Sequence, residues 1–175
     1  LIKFGDVAYA EMLKEIKQRR QILMLSIIPD FVKQIEAGIK KIEFRKSRPK
    51  KVVDYCLIYS IFEGNAPIIA KIYVHKPESV ENVLKRAEQE NCKHRFLNSY
   101  FSGKTKGIMI DLLKIYEINL PISEMRKIGI KPPLGIGYVY RKQIQDIIDY
   151  IFITKKIKEN CEKKTKQKKT EQKRR

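Results

Sequence analysis

Acidic residues are few in this sequence: 20 Asp and Glu stand against 38 Lys and Arg, a formal charge of +18 over 175 residues. An imbalance of that size points to a polyanionic partner, either a nucleic acid or an acidic membrane surface. The bland alternative is a lysine-rich surface kept for solubility. Cysteine is also sparse. Cys56, Cys92 and Cys161 are odd in number and far apart, which excludes a disulfide framework and sets the expectation of a reducing, cytoplasmic location. No apolar run approaches the roughly 20 residues of a membrane span, and no secretory leader is visible. No internal repeat is evident. The chain begins at Leu1 rather than Met, which leaves room for an upstream domain.

Motifs for metals, cofactors and nucleophilic catalysis are missing too. Cys92-x-His94 is the one close pair of soft ligands, and without a second pair it makes no zinc site. Gly103-Lys104-Thr105 lacks the upstream glycine of a phosphate loop and does not sit between a strand and a helix. No Ser-His-Asp or Cys-His set can be nominated from spacing, and His75 reads as a strand-end residue. No metal and no cofactor is therefore expected.

What is present is enough to fold. A hydrophobic content of 43% in 175 residues supports one domain with a sizeable core. Residues 1–21 read as an accessory helix opened by Asp6, with Tyr9, Met12, Leu13 and Ile16 on one face. Residues 22–28 are a short apolar strand. Residues 52–62 and 66–75, separated by a turn at Glu63-Gly64-Asn65, read as a strand pair rich in β-branched and aromatic residues. Ser79 opens an interrupted helical stretch that reaches about Phe101. Residues 108–118 return to strand and Pro121 closes it. Three glycines and two prolines make 129–140 a loop. Ile144, Ile147, Ile148, Ile151 and Phe152 mark an amphipathic helix over 141–154, a face that also suits packing on a partner protein. The basic tail, 155–175, carries 11 Lys and Arg against 3 acidic residues and is expected to fray beyond its helical start.

The most informative stretch is Pro29 to Lys46. Pro29 suits a first helical turn, and Phe31, Val32, Ile35 and Ile39 give that helix an apolar face. Gly38 fits the left-handed position that ends a helix. The period then changes to two. Ile42 and Phe44 share one side; Lys41, Glu43 and Arg45 share the other, about 7 Å apart. Lys46, Arg48, Lys50 and Lys51 follow in a loop. Residues 40–51 hold seven cations and one carboxylate, a net +6. Such a cluster attracts phosphates independently of sequence; the bland reading is a solvated strand face and loop.

The succession Gly38-Ile39-Lys40-Lys41-Ile42-Glu43-Phe44-Arg45-Lys46, then Tyr100-Phe101-Ser102-Gly103-Lys104, then Gly129-Ile130-Lys131-Pro132-Pro133 resembles the ASCH family, a branch of the PUA-like group, over residues 22–140. The resemblance implies an α+β fold: a small, partly closed β-barrel with flanking helices. A cleft between helix and barrel would hold single-stranded nucleic acid or one extruded base. The family is generally regarded as RNA-binding. One bacterial subgroup resembles small amidohydrolases acting on an acetylated cytidine nucleoside, with a Lys after the helix-ending Gly and a catalytic Thr on the charged strand. Lys40 matches that Lys. Glu43 stands at the Thr position and cannot supply its hydroxyl.

Two functions follow as expectations. The first is an RNA-binding or single-strand-binding module whose site holds Lys40, Lys41, Glu43, Arg45, Lys46, Arg48, Lys104 and Tyr138. Cations meet phosphates, Glu43 meets a base amino group or fixes Arg45, and Tyr138 stacks a base. Of Tyr55, Tyr59, Tyr73, Tyr138 and Tyr140, one or two are expected at a site and the rest in the core. The second is hydrolysis of a modified nucleoside, with Lys40 as base or electrophile and Glu43 activating water. A Lys40→Ala variant with unchanged turnover removes that second reading.

Overall fold

A period-two core covered by period-3.6 helices is what these patterns demand, and the computed structural model, which describes residues 1–90 and 94–172, has that form. Seven strands run in the order β2 (Ile42–Arg45), β6 (Lys106–Pro121), β4 (Asn65–Val74), β3 (Tyr55–Ser60), β1 (Gln21–Ile27) and β7 (Ile136–Tyr140), while β5 (Glu78–Ser79) pairs with β6. β1 and β3 are parallel and the other pairs antiparallel. The register of β4 shifts opposite Ala66/Ile68 and Lys71/Ile72. Bulges of this kind bend a sheet, and the first accommodates Pro67, which has no N–H to give a ladder. The end strands β2 and β7 do not pair with each other, so the sheet curls without a hydrogen-bonded seam closing it into a barrel.

Alternation sends each strand's side chains into two cores. On one face Ile22, Met24, Tyr55, Leu57, Ile69 and Val139 meet α1 (Val7–Lys17), α5 (Ile122–Lys127) and α6 (Arg141–Gln172). All four residues expected on the apolar face of α1 are buried there. So are Ile144, Ile147, Ile148 and Ile151 of α6, each contributing about 1.5–3 kcal/mol. The isoleucine stripe of that helix is thus taken up by the chain's own core. On the other face Leu23, Leu25, Cys56, Ile58, Ile68 and Ile110 are covered by Val32 and Ile35 of α2 (Pro29–Glu36). A third cluster packs Ile42, Phe44 and Met109 against α3 (Val80–Gln89) and the end of α4 (His94–Tyr100) through Val83, Ala87 and Phe101. Ser79 caps α3 by accepting from the Asn82 N–H at 3.2 Å.

Three expectations need correction. Ile39 lies past the end of α2 and is exposed. Residues 136–140 are strand β7, not loop, paired in register with β1. Gly137, which made the segment look like a turn, is there because the Pro133 ring passes 3.1 Å from where its Cβ would stand. Finally α6 continues to Gln172 instead of fraying near residue 154; Lys, Glu and Gln are good helix formers, so charge alone does not end it.

Candidate functional site

The junction of α2 and β2 decides where the charges go. Gly38 adopts φ +73°, and the amides of Ile39 and Lys40 both donate to the Gln34 carbonyl, at 2.9 and 3.0 Å. This closes the helix and aims the chain into β2. Glu43 and Arg45 lie opposite Ile110 and Ile108 of β6, so they share the face that α2 covers. They are therefore inside the curl of the sheet.

Three charges meet there. The Lys40 Nζ lies 3.2 Å from one Glu43 oxygen, and the Arg45 Nη2 lies 3.2 Å from the other. Their side chains are only 7%, 10% and 12% exposed for Lys40, Glu43 and Arg45. Lys40 also donates to the Ile42 carbonyl at 2.7 Å and sits over the rings of Phe31 and Phe44. Arg45 donates to the Ser26 carbonyl at 3.1 Å. That bond joins β2 to β1, four places along the sheet, and shows how far the sheet curls. The group holds two cations and one carboxylate, a net +1. Its Arg45 Nε is buried with no acceptor among the described residues, so the guanidinium has a donor to spare in a place closed to bulk solvent. Both Glu43 oxygens are engaged by cations, which leaves the carboxylate to hold the two in place.

Cys56 lies on the same face. Burial first, and then the Glu43 charge, push its thiol up to about 12, so it is inert rather than nucleophilic.

The other expected residues are dispersed. Lys41 precedes the strand and is exposed; Lys40, not Lys41, joins Glu43 and Arg45, because the charged row begins in the helix-closing turn. Lys46 leaves the interior and sits over the Tyr100 ring at 4.6 Å. Arg48 is exposed in the following loop, and Lys104 is exposed in the turn before β6. Tyr138 faces the same interior as Leu23 and accepts from the Lys51 N–H at 3.3 Å. Lys51 then lies over the rings of Tyr138 and Tyr140, at 5.3 and 4.5 Å. Tyr55 and Tyr59 are core, while Tyr73 and Tyr140 are exposed. His75 follows the end of β4 and contacts Asp111, 2.8 Å from Nε2 to Oδ2. Cys92 lies outside the described residues, so its pairing with His94 is not placed. Among the described residues no group of three or more His, Cys, Asp and Glu could hold a metal, and no helix is long and apolar enough to cross a membrane.

Sequence reasoning missed the Ser26 carbonyl and Phe31 as members of the interior site. The first is backbone and has no signature; the second was assigned to the helix face alone. It also missed an open depression of about 850 Å³ between α1 and α6, lined by Lys14, Lys17, Arg141, Lys142, Gln145 and Asp146.

No protein-family model matches the sequence, and no curated protein does. Solved structures do. The ASCH protein of Zymomonas mobilis superposes with a TM-score of 0.67 at 20% identity, covering 75% of this chain and 96% of that one. Two point mutants of the same protein match alike, one with a TM-score of 0.68, covering 74% of this chain and 96% of that one, the other with 0.67, covering 75% and 98%. Identity at this level speaks for the backbone alone. With the curled sheet, the helix covering its inner face and the outer helices, it establishes that the chain has the fold of these ASCH proteins.

Proposed function

We propose that the protein binds single-stranded RNA, with the Lys40–Glu43–Arg45 group receiving a base or phosphate and the exterior cations holding the backbone. One observation carries the reading. A net-positive charge group is buried at the seam of α2 and the sheet, with the Arg45 Nε unpaired among the described residues. Leaving a buried donor unsatisfied costs about 1–3 kcal/mol, a cost that an incoming acceptor removes. Nucleobase edges and phosphates are the acceptors to which a guanidinium fork is best matched. The half-buried aromatic rings of Phe31 and Tyr138 border the same interior, and flat apolar faces of that kind stack bases. The loop cations Lys46, Arg48, Lys50 and Lys51 are exposed beside it, where they answer phosphates at a salt-dependent strength.

The test is fluorescence anisotropy with a labelled single-stranded RNA and the full chain at low salt, repeated as salt rises. Binding should weaken steeply with salt, and Arg45→Lys, which keeps the charge but loses the fork, should weaken it at least tenfold. Absence of binding by the wild-type chain at about 50 mM salt, where phosphate contacts are strongest, would sink the proposal.

A further inference from the structure

The cations of the α1–α6 depression have no part in the interior group. Lys14 and Lys17 come from α1; Arg141 and Lys142 open α6. Among the described residues none of the four makes an ion pair. One carboxylate, Asp146, lines the depression with them, so four cations and one anion leave a net +3. Two neighbouring cations are engaged: Arg19 forks onto Asp54, and Lys71 pairs with Glu15.

Every residue lining the depression is charged or an amide, so polar heads stand on aliphatic stems around an open surface. It is held in shape from beneath. The Arg141 amide donates to the Arg20 carbonyl at 2.9 Å, and its guanidinium to the Gln18 carbonyl at 3.3 Å.

We infer that the α1–α6 depression, with Lys14, Lys17, Arg141 and Lys142 around it, is a second backbone-binding surface that holds the phosphates of a single strand outside the interior site. This rests on the RNA-binding reading and goes beyond it. It assigns a surface that lies across the sheet from Lys40, Glu43 and Arg45, and it requires a polymer rather than a mononucleotide. Cations free of ion pairs on an open surface suit a flexible strand, whose phosphates can be met without base reading.

The experiment uses the full chain with Lys14→Ala, Lys17→Ala and Lys142→Ala combined. All three side chains are exposed and unpaired among the described residues, so the melting temperature should stay within a degree or two of wild type. Anisotropy is measured with labelled oligouridylates of three and of fifteen nucleotides across a salt series. Each single-strand phosphate contact contributes about 0.7 to the log–log salt slope, so the slope for the fifteen-mer should fall by about 2 while the trimer is little changed. Unchanged slope and affinity for the fifteen-mer, with wild-type binding intact, would overturn this surface and leave the interior proposal standing. No wild-type binding to either length would remove both. Phosphatidylserine vesicles form the second arm. If the triple variant loses vesicle binding but keeps the fifteen-mer, the surface is a membrane contact and the inference is wrong.

Discussion

Replacing Glu43 by Gln keeps the shape of the side chain and removes the charge that Lys40 and Arg45 share. Each pair is 3.2 Å apart. At an effective dielectric of about 20, such a pair attracts by roughly 5 kcal/mol before desolvation is charged against it. The net worth of the group is much smaller, because three ions have left water. Breaking it from one side is still severe, since the remaining two cations are buried, close together and uncompensated. Such removals cost about 3–5 kcal/mol. The amide that replaces the carboxylate would still accept one hydrogen bond, which favours the lower end. For a chain of this length each kcal/mol moves the melting temperature by about 2–4 °C, so Glu43→Gln should melt on the order of 10 °C lower.

The companion variant combines Lys40→Met, Glu43→Leu and Arg45→Met. It removes all three charges into an interior already lined by Leu23, Leu25, Ile108 and Ile110. Exchanging a whole buried ion group for apolar side chains is often neutral or stabilising by about 1–4 kcal/mol. The triple variant should therefore melt well above the Glu43→Gln value and close to wild type. Urea and thermal unfolding followed by circular dichroism measure both. A loss under about 1 kcal/mol for Glu43→Gln, the value of a solvated pair, would refute the buried-charge reasoning. So would a triple variant as unstable as the single one. If the triple variant folds but no longer binds RNA, the group serves the ligand at the expense of stability.

Other expectations are direct. With its thiol pushed up to about 12 by burial, Cys56 should resist iodoacetamide at pH 8 in the folded chain, while exposed Cys161 labels at once; peptide mapping that finds Cys56 modified without denaturant would contradict its burial. Gly107→Ala should destabilise the α3–α4 layer by about 1–3 kcal/mol, because the added Cβ would meet the Phe101 ring at 2.8 Å and Val83 at 3.3 Å; an unchanged unfolding midpoint would show that the ring moves freely. Glu15 has a lowered pKa, first through hydrogen bonds from Lys71 and Tyr55. A carboxylate depressed in the folded state stabilises fully above its unfolded value of 4.5 and loses that contribution as pH falls through the folded one. Wild type and Glu15→Gln should thus differ at pH 6 and converge in acid, and a difference that instead grew in acid would reverse the assignment.

Periodicity made most of the fold legible. The apolar faces of α1 and α2, the β3–β4 pair and the stop at Gly38 rest on local chemistry that any neighbour in the sequence reveals. What was not legible depends on contacts between distant residues. β7 holds Gly137 and follows directly on Gly135, and it reads as loop until Pro133 folds over Gly137. The charged row of β2 was legible as a row, but its burial was not. A strand with Ile42 and Phe44 on one side and Glu43 and Arg45 on the other reads as half-solvated. It is covered twice, by α3 and α4 on the apolar side and by the curl of the sheet on the charged side. That Lys40 rather than Lys41 completes the group follows from the same cause, since the turn that closes α2 presents Lys40 to the interior before the strand begins.

The distribution of charge then separates two properties that the sequence presented as one. Of a formal +18, the interior group accounts for only +1. A salt slope counts phosphates met by cations, so nearly all of it must arise outside the sheet. Discrimination among ligands needs fixed donors away from water, and Arg45, held by Glu43 and the Ser26 carbonyl, is so placed. On the RNA-binding proposal, substitutions in the interior should change which strand is preferred with little effect on the slope. Substitutions among the surface lysines should change the slope with little effect on preference. A single basic cleft, the arrangement that the clustered charges of residues 40–51 first implied, would couple the two.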